Sequence, residues 1–379
     1  MKTGLYTIAL KLLVNDQGKF NSLLIGVAFA VFLMVSMTSM FAGVLARASA
    51  TVANVGADVW VMDPAVNTVA SSIPMPAYVV DAVRSMEGVK YAVPLYTGGA
   101  MVRLASGDFQ AVSVVGLDDN SLFGRPALET GQIQDIYSEN GFIVVNDAEF
   151  GKLNRPHVGT EFEINDHRAV VVGIAKVASN GLFGVPTLYT TLNRALQYIP
   201  NTRFTTSYIL VAPSRPADVP RIKAAVGKLG YLALTKDEFD ARISNFYTFK
   251  TGLGTNILLM TAISFIVGLS ISGQTFYTFI LENLDKFGAL KAIGARSGEL
   301  VSMILFQAGF ASLIGYGLGV GLSSLSITLI RLRIPDYAAI VTFQNLVLAF
   351  VMVLIIAGVS SYIGVRRVLQ IEPFEVFRS

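Results

Sequence analysis

Residues 251–281 read TGLGTNILLMTAISFIVGLSISGQTFYTFIL, and this stretch decides the class of protein. It fills the interval between Lys250 and Glu282 with 31 residues and no charge. A helix rising about 1.5 Å per residue needs roughly 20 apolar residues to cross the hydrocarbon core of a bilayer. Three more intervals pass the same test: 27 residues between Lys19 and Arg47, 31 between Glu299 and Arg331, and 29 between Asp336 and Arg366. Only 15% of the 379 residues are charged, against about 25% in a soluble domain, and 53% are hydrophobic. A soluble enzyme, a disordered chain and a nucleic-acid binder are excluded as readings of the whole chain. The net charge of +3 is too small to call for a polyanionic partner.

The fold class expected is an α-helical membrane protein with four transmembrane helices plus an extracytoplasmic mixed α/β domain. Residues 1–19 carry Leu5, Ile8, Ala9, Leu12 and Leu13 at helical spacing and read as an interfacial amphipathic helix. The spans are 20–46, 251–281, 300–330 and 341–365. The first is far longer than the 7–15 residue core of a cleavable signal, so Ala48-Ser49-Ala50 is not read as a cleavage site. Residues 282–299 form a loop and 366–379 a tail. Between the first two spans, 47–250 alternates strand-like runs with short helices. The runs include 57–62, 89–105, 109–117 and 141–146, and a hairpin across Asn165-Asp166. Helices are expected at 76–87, 148–153 and 217–229.

Basic residues set the orientation. The N-terminal segment, the 282–299 loop and the tail carry three each, and the short connection after the third span carries only Arg331 and Arg333. Both termini and the loop are therefore expected in the cytoplasm, with 47–250 outside the plasma membrane of a bacterium.

The chain has no cysteine, which removes disulfide and thiolate chemistry. It has no G-x-x-x-x-G-K-[ST] phosphate loop, no H-E-x-x-H and no G-x-S-x-G. The uncharged intervals lack the ionisable residues that ion-coupled carriers keep inside the membrane. Energy is expected to arrive from another polypeptide, and no cofactor is expected in this one.

The most specific segment is LENLDKFGALKAIGARSGEL, residues 281–300. Phe287, Leu290 and Ile293 recur every three residues, Lys286 and Lys291 lie beside them, and Gly294 supplies a helix stop. The reading is a short lever helix between two spans; the alternative is an ordinary interfacial loop helix. The run Gly288-Ala289-Leu290-Lys291-Ala292-Ile293-Gly294-Ala295 resembles the signature of the MacB/FtsX-like permease family of ABC transporters. The tail, with Pro373, Glu375, Val376, Phe377 and Arg378, is similar to that family's closing motif. The order of one helix, a large outer domain and three helices is also the same. Glu282-Asn283-Leu284-Asp285-Lys286-Phe287 departs from the family's Arg- and Glu-rich form and is similar to its DevC-like exporter branch.

The resemblance implies a MacB-like periplasmic core domain and an exporter that is not itself an enzyme. Two copies would pair, two ABC ATPase subunits would bind with their ATP and Mg, and a periplasmic adaptor (a membrane fusion protein) would complete the system. It also implies Lys286, Phe287, Leu290, Lys291, Ile293 and Gly294 as ATPase-coupling residues, with Pro373, Glu375, Phe377 and Arg378 near the ATPase. The substrate implied is amphipathic or hydrophobic: a lipid, a glycolipid or a small toxic compound. Two alternatives stand beside this reading, an FtsX-like transmitter that controls a cell-wall hydrolase and a haem-export permease.

Three lesser features complete the inventory. Gly315, Gly317, Gly319 and Gly321 read as a helix-packing face, with the fourth span as the expected partner. Met34, Met37 and Met40 are a candidate contact for an apolar ligand, the bland reading being ordinary packing. His157 and His167 lack further ligands for a metal site, Trp60 reads as a core or interdomain aromatic, and Asp118-Asp119 reads as a turn.

Overall fold

The structure is a computed structural model that describes residues 2–177, 184–199, 205–334 and 337–369. Its helices are α1 (Lys2–Asn15), α2 (Gln17–Val55), α3 (Tyr78–Arg84), α4 (Leu192–Tyr198), α5 (Val219–Lys228), α6 (Lys236–Asn245), α7 (Gly252–Glu282), α8 (Leu284–Ala292), α9 (Ser297–Arg333) and α10 (Phe343–Leu369). Its strands are β1 (Val59–Met62), β2 (Met75–Pro76), β3 (Val89–Arg103), β4 (Phe109–Leu117), β5 (Leu128–Gly131), β6 (Gly141–Val145), β7 (Glu161–Ile164), β8 (His167–Ala175), β9 (Thr187–Thr191), β10 (Thr205–Thr206), β11 (Tyr208–Pro213) and β12 (Leu232–Thr235). The chain divides into a helical unit, Met1–Gly43 with Leu253–Ser379, and an α/β unit, Val44–Gly252.

Among the described residues of the helical unit, α2, α7, α9 and α10 are the helices long and apolar enough to cross a membrane. Helix α2 is the most buried of them. Glycines let it approach its neighbours. A Cβ on Gly26 would stand 2.6 Å from Ile271 of α7, and one on Gly315 would stand 2.7 Å from Val27. Val27, Ala30, Val31, Met34 and Val35 of α2 pack with Ala349, Val353 and Ile356 of α10. Polar side chains in this interior bond across helices: Ser36 to Ser323 at 3.0 Å, and Gln307 Nε2 to the Ala9 carbonyl at 2.7 Å.

Helix α1 is docked on α9. The Tyr6 ring lies 5.0 Å from Phe306, the Tyr6 hydroxyl meets Ser302 at 2.8 Å, and Ala9 and Leu13 are buried. The expected apolar face is divided, because Ile8 points outward and stays 42% exposed. The helix breaks at Asp16, whose carboxylate accepts from the Lys19 backbone and pairs with the Lys19 ammonium at 2.9 Å. Its hydrogen-bonded Lys19 holds the Asp16 carboxyl below the usual carboxylate range.

The α/β unit is built on one mixed sheet in the order β12-β1-β11-β3-β4-β9-β6-β8-β5, with β7 pairing β3 and β8. Strand β3 is 15 residues long and serves two neighbourhoods. Val89–Leu95 runs antiparallel to β11, and Leu95–Arg103 runs antiparallel to β4. The Asn165-Asp166 hairpin forms with φ of 46° and 66°, the paired left-handed residues of a two-residue turn that matches strand twist. Trp60 is fully buried against Tyr208 and Phe239, at ring distances of 5.4 and 5.6 Å. Burial pushes the Tyr208 phenol up, and its hydroxyl donates to the Val69 carbonyl at 2.9 Å.

The end of α2 lies in this unit. Arg47 reaches 3.6 Å from Glu149, a carboxylate only 1% exposed, and Lys152 pairs with the same carboxylate at 2.5 Å. A buried charge needs such partners, because desolvation alone would cost several kcal/mol.

Candidate functional site

The candidate site is the connection from α7 to α9. Helix α7 ends because Asn283 leaves the helical region, at φ −101° and ψ 12°. Its side-chain amide, buried, donates to the Phe279 carbonyl at 2.8 Å. Its side-chain oxygen accepts from Lys286 Nζ at 2.8 Å. The chain re-enters a helix, α8, for nine residues. Gly294 then adopts φ +103°, and its N–H and that of Ala295 return to the carbonyls of Lys291 and Leu290. This is a glycine-terminated helix end, in which the left-handed residue turns the chain back and satisfies the last carbonyls. Helix α9 opens where the Arg296 N–H donates to Glu299 at 2.9 Å.

The structure separates the six residues expected to contact an ATPase, and Phe287, Leu290 and Ile293, whose period of three reads as one face, do not share one. Phe287 is fully buried with Phe276, Phe279, Ile280, Met303 and Ile304. Leu290 is half-buried at the edge of that cluster. Lys291 donates to the Leu369 carbonyl at the end of α10, at 3.5 Å. Ile293 is 82% exposed, and Lys286 and Gly294 are exposed beside it. The reason is angular. Each step of three residues falls about 60° short of a full helical turn, so positions i, i+3 and i+6 spread over about 120°. Phe287 therefore anchors the loop, and the outward surface includes Asp285, Lys286, Ala289, Ala292, Ile293 and Gly294.

The same arithmetic corrects the methionine stripe. Met34 is buried in the contact of α2 with α10, Met37 is half-buried, and Met40 is 40% exposed. The three side chains do not share a face, so they form no common contact.

The glycine run also divides, because residues two apart lie about 200° apart around a helix. Gly315 and Gly319 are buried against Val27, Ala28 and Val31 of α2, whereas Gly317 and Gly321 have nothing within 4 Å of an added Cβ. The partner of the packed pair is the first span and not the fourth. Helix α10 does lie beside α9, but on another face, where the Tyr316 ring meets Phe350 at 5.4 Å and the Tyr316 hydroxyl donates to the Leu346 carbonyl at 3.1 Å.

Pro373, Glu375, Phe377 and Arg378 lie outside the described residues. His157 Nδ1 stands 3.2 Å from the Thr160 hydroxyl, and the His167 ring lies 4.9 Å from that of Tyr198, tilted by 36°. Among the described residues no group of three or more His, Cys, Asp or Glu is placed to hold a metal. Asp118 accepts from the backbone and hydroxyl of Ser121, which is turn chemistry.

Sequence reasoning missed the buried Glu149 and its two partly exposed cations, Arg47 and Lys152. Its only visible signal was the Glu149–Lys152 spacing, because Arg47 comes from a hundred residues away in the chain.

Comparison with known proteins gives a family. Residues 23–229 match the model of the MacB-like periplasmic core domain, and residues 257–373 match that of the FtsX-like permease C-terminal region. The chain is 26% identical over 309 residues to the macrolide export ATP-binding/permease protein MacB of Agrobacterium fabrum, covering 76% of this chain and 46% of that protein. It is 24% identical over 318 residues to MacB 1 of Yersinia pestis, covering 79% of this chain and 48% of that one. The chain thus spans about half the length of the curated relatives it matches. Among solved structures, the periplasmic region of MacB from Actinobacillus actinomycetemcomitans superposes with a TM-score of 0.36 at 13% identity, over 49% of this chain and 92% of that one. With its four apolar helices, its outer α/β domain and both domain matches in the expected order, the chain belongs to the MacB/FtsX-like family of ABC transporter permeases, as a multi-pass inner-membrane protein with an extracytoplasmic domain.

Proposed function

We propose that this chain is the membrane-spanning subunit of an ABC exporter. It works as two copies joined to two ATPase subunits on the cytoplasmic side and to a periplasmic adaptor outside. It moves an amphipathic or hydrophobic substrate. The ATPase would supply the energy, since this sequence has no phosphate loop of its own. The observation that carries the reading is the two-sided build of α8. Phe287 fixes one side into the core of the helical unit, and Ile293 and Gly294 leave the other side bare. A force applied at the bare side would reach α7 and α9 through packed side chains and not through a slack loop.

The test is affinity purification of the tagged chain from its native membranes, with mass spectrometry of what accompanies it. A P-loop ATPase is expected with the natural chain. Ile293→Asp should lower its recovery about tenfold, equivalent to ~1.4 kcal/mol of contact. The substituted side chain is exposed, so the chain itself should fold as before. Absence of an ATPase, or recovery that Ile293→Asp leaves unchanged, refutes the assignment.

A further inference from the structure

The α/β unit holds a cavity of about 720 Å³. Its floor is one face of the sheet where β3, β4 and β9 run side by side. Cross-strand partners share a face, and the register pairs Thr97 with Val115, Gly99 with Ser113, Met101 with Ala111, and Ser113 with Thr187. All seven line the cavity. The opposite face of the same strands is packed, with Val102, Val114 and Leu188 in a hydrophobic cluster. The cavity exists because the floor is surfaced mainly by glycine, alanine, serine and threonine. Ala48 and Thr51 at the end of α2 form one wall, and Tyr247 and Thr68 form another.

Two features give the chemistry of an occupant. The described lining carries no Asp, Glu, Lys, Arg or His, so a charged group placed on the floor would have no ionic partner among these residues. The lining also carries hydroxyls among the apolar groups. Thr187 is one of them: it is 1% exposed, and its Oγ1 has no hydrogen-bond partner. A buried hydroxyl without a partner is costly in a finished core; this one is closed off at the edge of the floor, and the half-buried Thr97 and Ser113 are the lining hydroxyl residues more open to an occupant. The volume falls within the range of sites for small organic molecules, roughly 300–1,000 Å³.

We propose that this cavity binds an uncharged, amphipathic small molecule, its apolar body on the β3–β4–β9 floor and its polar groups on the threonine and serine hydroxyls. Resting on the export reading above, this makes the outer domain the place where the exported molecule is held, and it makes absence of charge the selection rule.

The test uses the full chain in phosphatidylcholine nanodiscs, titrated with Nile red, an uncharged amphipathic dye. Anilinonaphthalene sulfonate serves as the anionic comparison, and empty nanodiscs are subtracted. Two variants fill the floor. At Gly99 an added Cβ meets nothing within 4 Å, and φ lies outside the left-handed region, so Gly99→Phe projects into the cavity without backbone strain. Ser113→Leu fills the neighbouring position. Saturable Nile red binding is expected in the natural chain, weakened about tenfold or more in each folded variant, a loss of ~1.4 kcal/mol. The sulfonate should not distinguish the three. Equal Nile red titrations in the natural chain and a folded Gly99→Phe variant overturn the proposal, as does stronger saturable binding of the sulfonate. The titration contains no ATP and no ATPase. Its failure leaves the permease assignment standing, and failure of an ATPase to co-purify leaves the titration intact.

Discussion

Two glycines two residues apart on α9, Gly317 and Gly319, should respond in opposite directions to the same substitution. A Cβ added at Gly319 would stand 2.6 Å from the Ala28 carbonyl oxygen and 2.6 Å from Val31 Cβ. Ordinary contacts between carbon atoms lie near 3.5–4.0 Å, so α2 and α9 must part by about 1 Å. Neither neighbour can swing aside, one being backbone and the other the root of a β-branched side chain. Overpacking a closed interior costs about 1–3 kcal/mol, and these neighbours place the cost near ~3 kcal/mol. Alanine recovers ~1 kcal/mol over glycine in a helix interior. Gly319→Ala should therefore lose ~2 kcal/mol net. Gly317→Ala meets nothing within 4 Å and should gain up to ~1 kcal/mol. The assay is the thermal midpoint of the full chain in detergent, followed by fluorescence-detected size exclusion. At about 2–4 °C per kcal/mol, the two variants should melt roughly 6–12 °C apart, with Gly317→Ala the higher. If they shift alike, or if Gly319→Ala matches the natural chain, the close approach of α2 and α9 is refuted.

Arg47→Ala should destabilise the outer domain by about 3 kcal/mol, because it removes one of the charged partners of buried Glu149, and Arg47→Ala with Glu149→Gln should recover most of the loss in chemical denaturation. Thr187→Val, which deletes a hydroxyl with no partner, should leave the thermal midpoint unchanged or raise it, whereas Thr190→Val breaks the bond to the Gly141 carbonyl and should cost about 1 kcal/mol. Acidification should weaken the start of α6. Lys223, then the Thr235 backbone, hold the Glu238 carboxyl below its ordinary value of 4.5. That stabilisation is complete above the unfolded value and is lost as pH falls through the lower folded one. The pair is partly exposed, so the change is only a few tenths of a kcal/mol. Glu238→Gln should flatten the difference between thermal midpoints at pH 7 and pH 4.

The membrane spans were legible because one statistic, an uncharged run, is sufficient for them. So were the hairpin at Asn165-Asp166 and the strands around Trp60, where turn residues and β-branched runs coincide. The short polar strand β9 (TLYTT) was not, because nothing in five such residues distinguishes a buried strand from a loop; its burial comes from β4 and β6 on either side. Helix α6 was missed although Thr235-Lys236-Asp237-Glu238 is a capping box, and both of its hydrogen bonds are formed. Of the residues expected to contact an ATPase, Phe287, Leu290 and Ile293 were placed on one face by their period of three, and they do not share one. Phe287 and Met34 both turned inward, while Ile293 and Met40, six residues on, turned out. Spacings of four, as between Gly315 and Gly319, were the reliable ones.

Strand β3 has a consequence for how the outer domain comes apart. Its first half belongs to the ladder with β11, its second half to the ladder with β4, and its last two residues also pair with β7. Residues of this one strand enter three separate hydrophobic clusters. Melting either half would strip the other of a central neighbour, so the two halves share one free-energy barrier and unfold as a single cooperative unit. Amides of β3 that donate into either ladder should accordingly exchange at similar, slow rates in both halves, whereas the alternate amides that face no strand exchange faster.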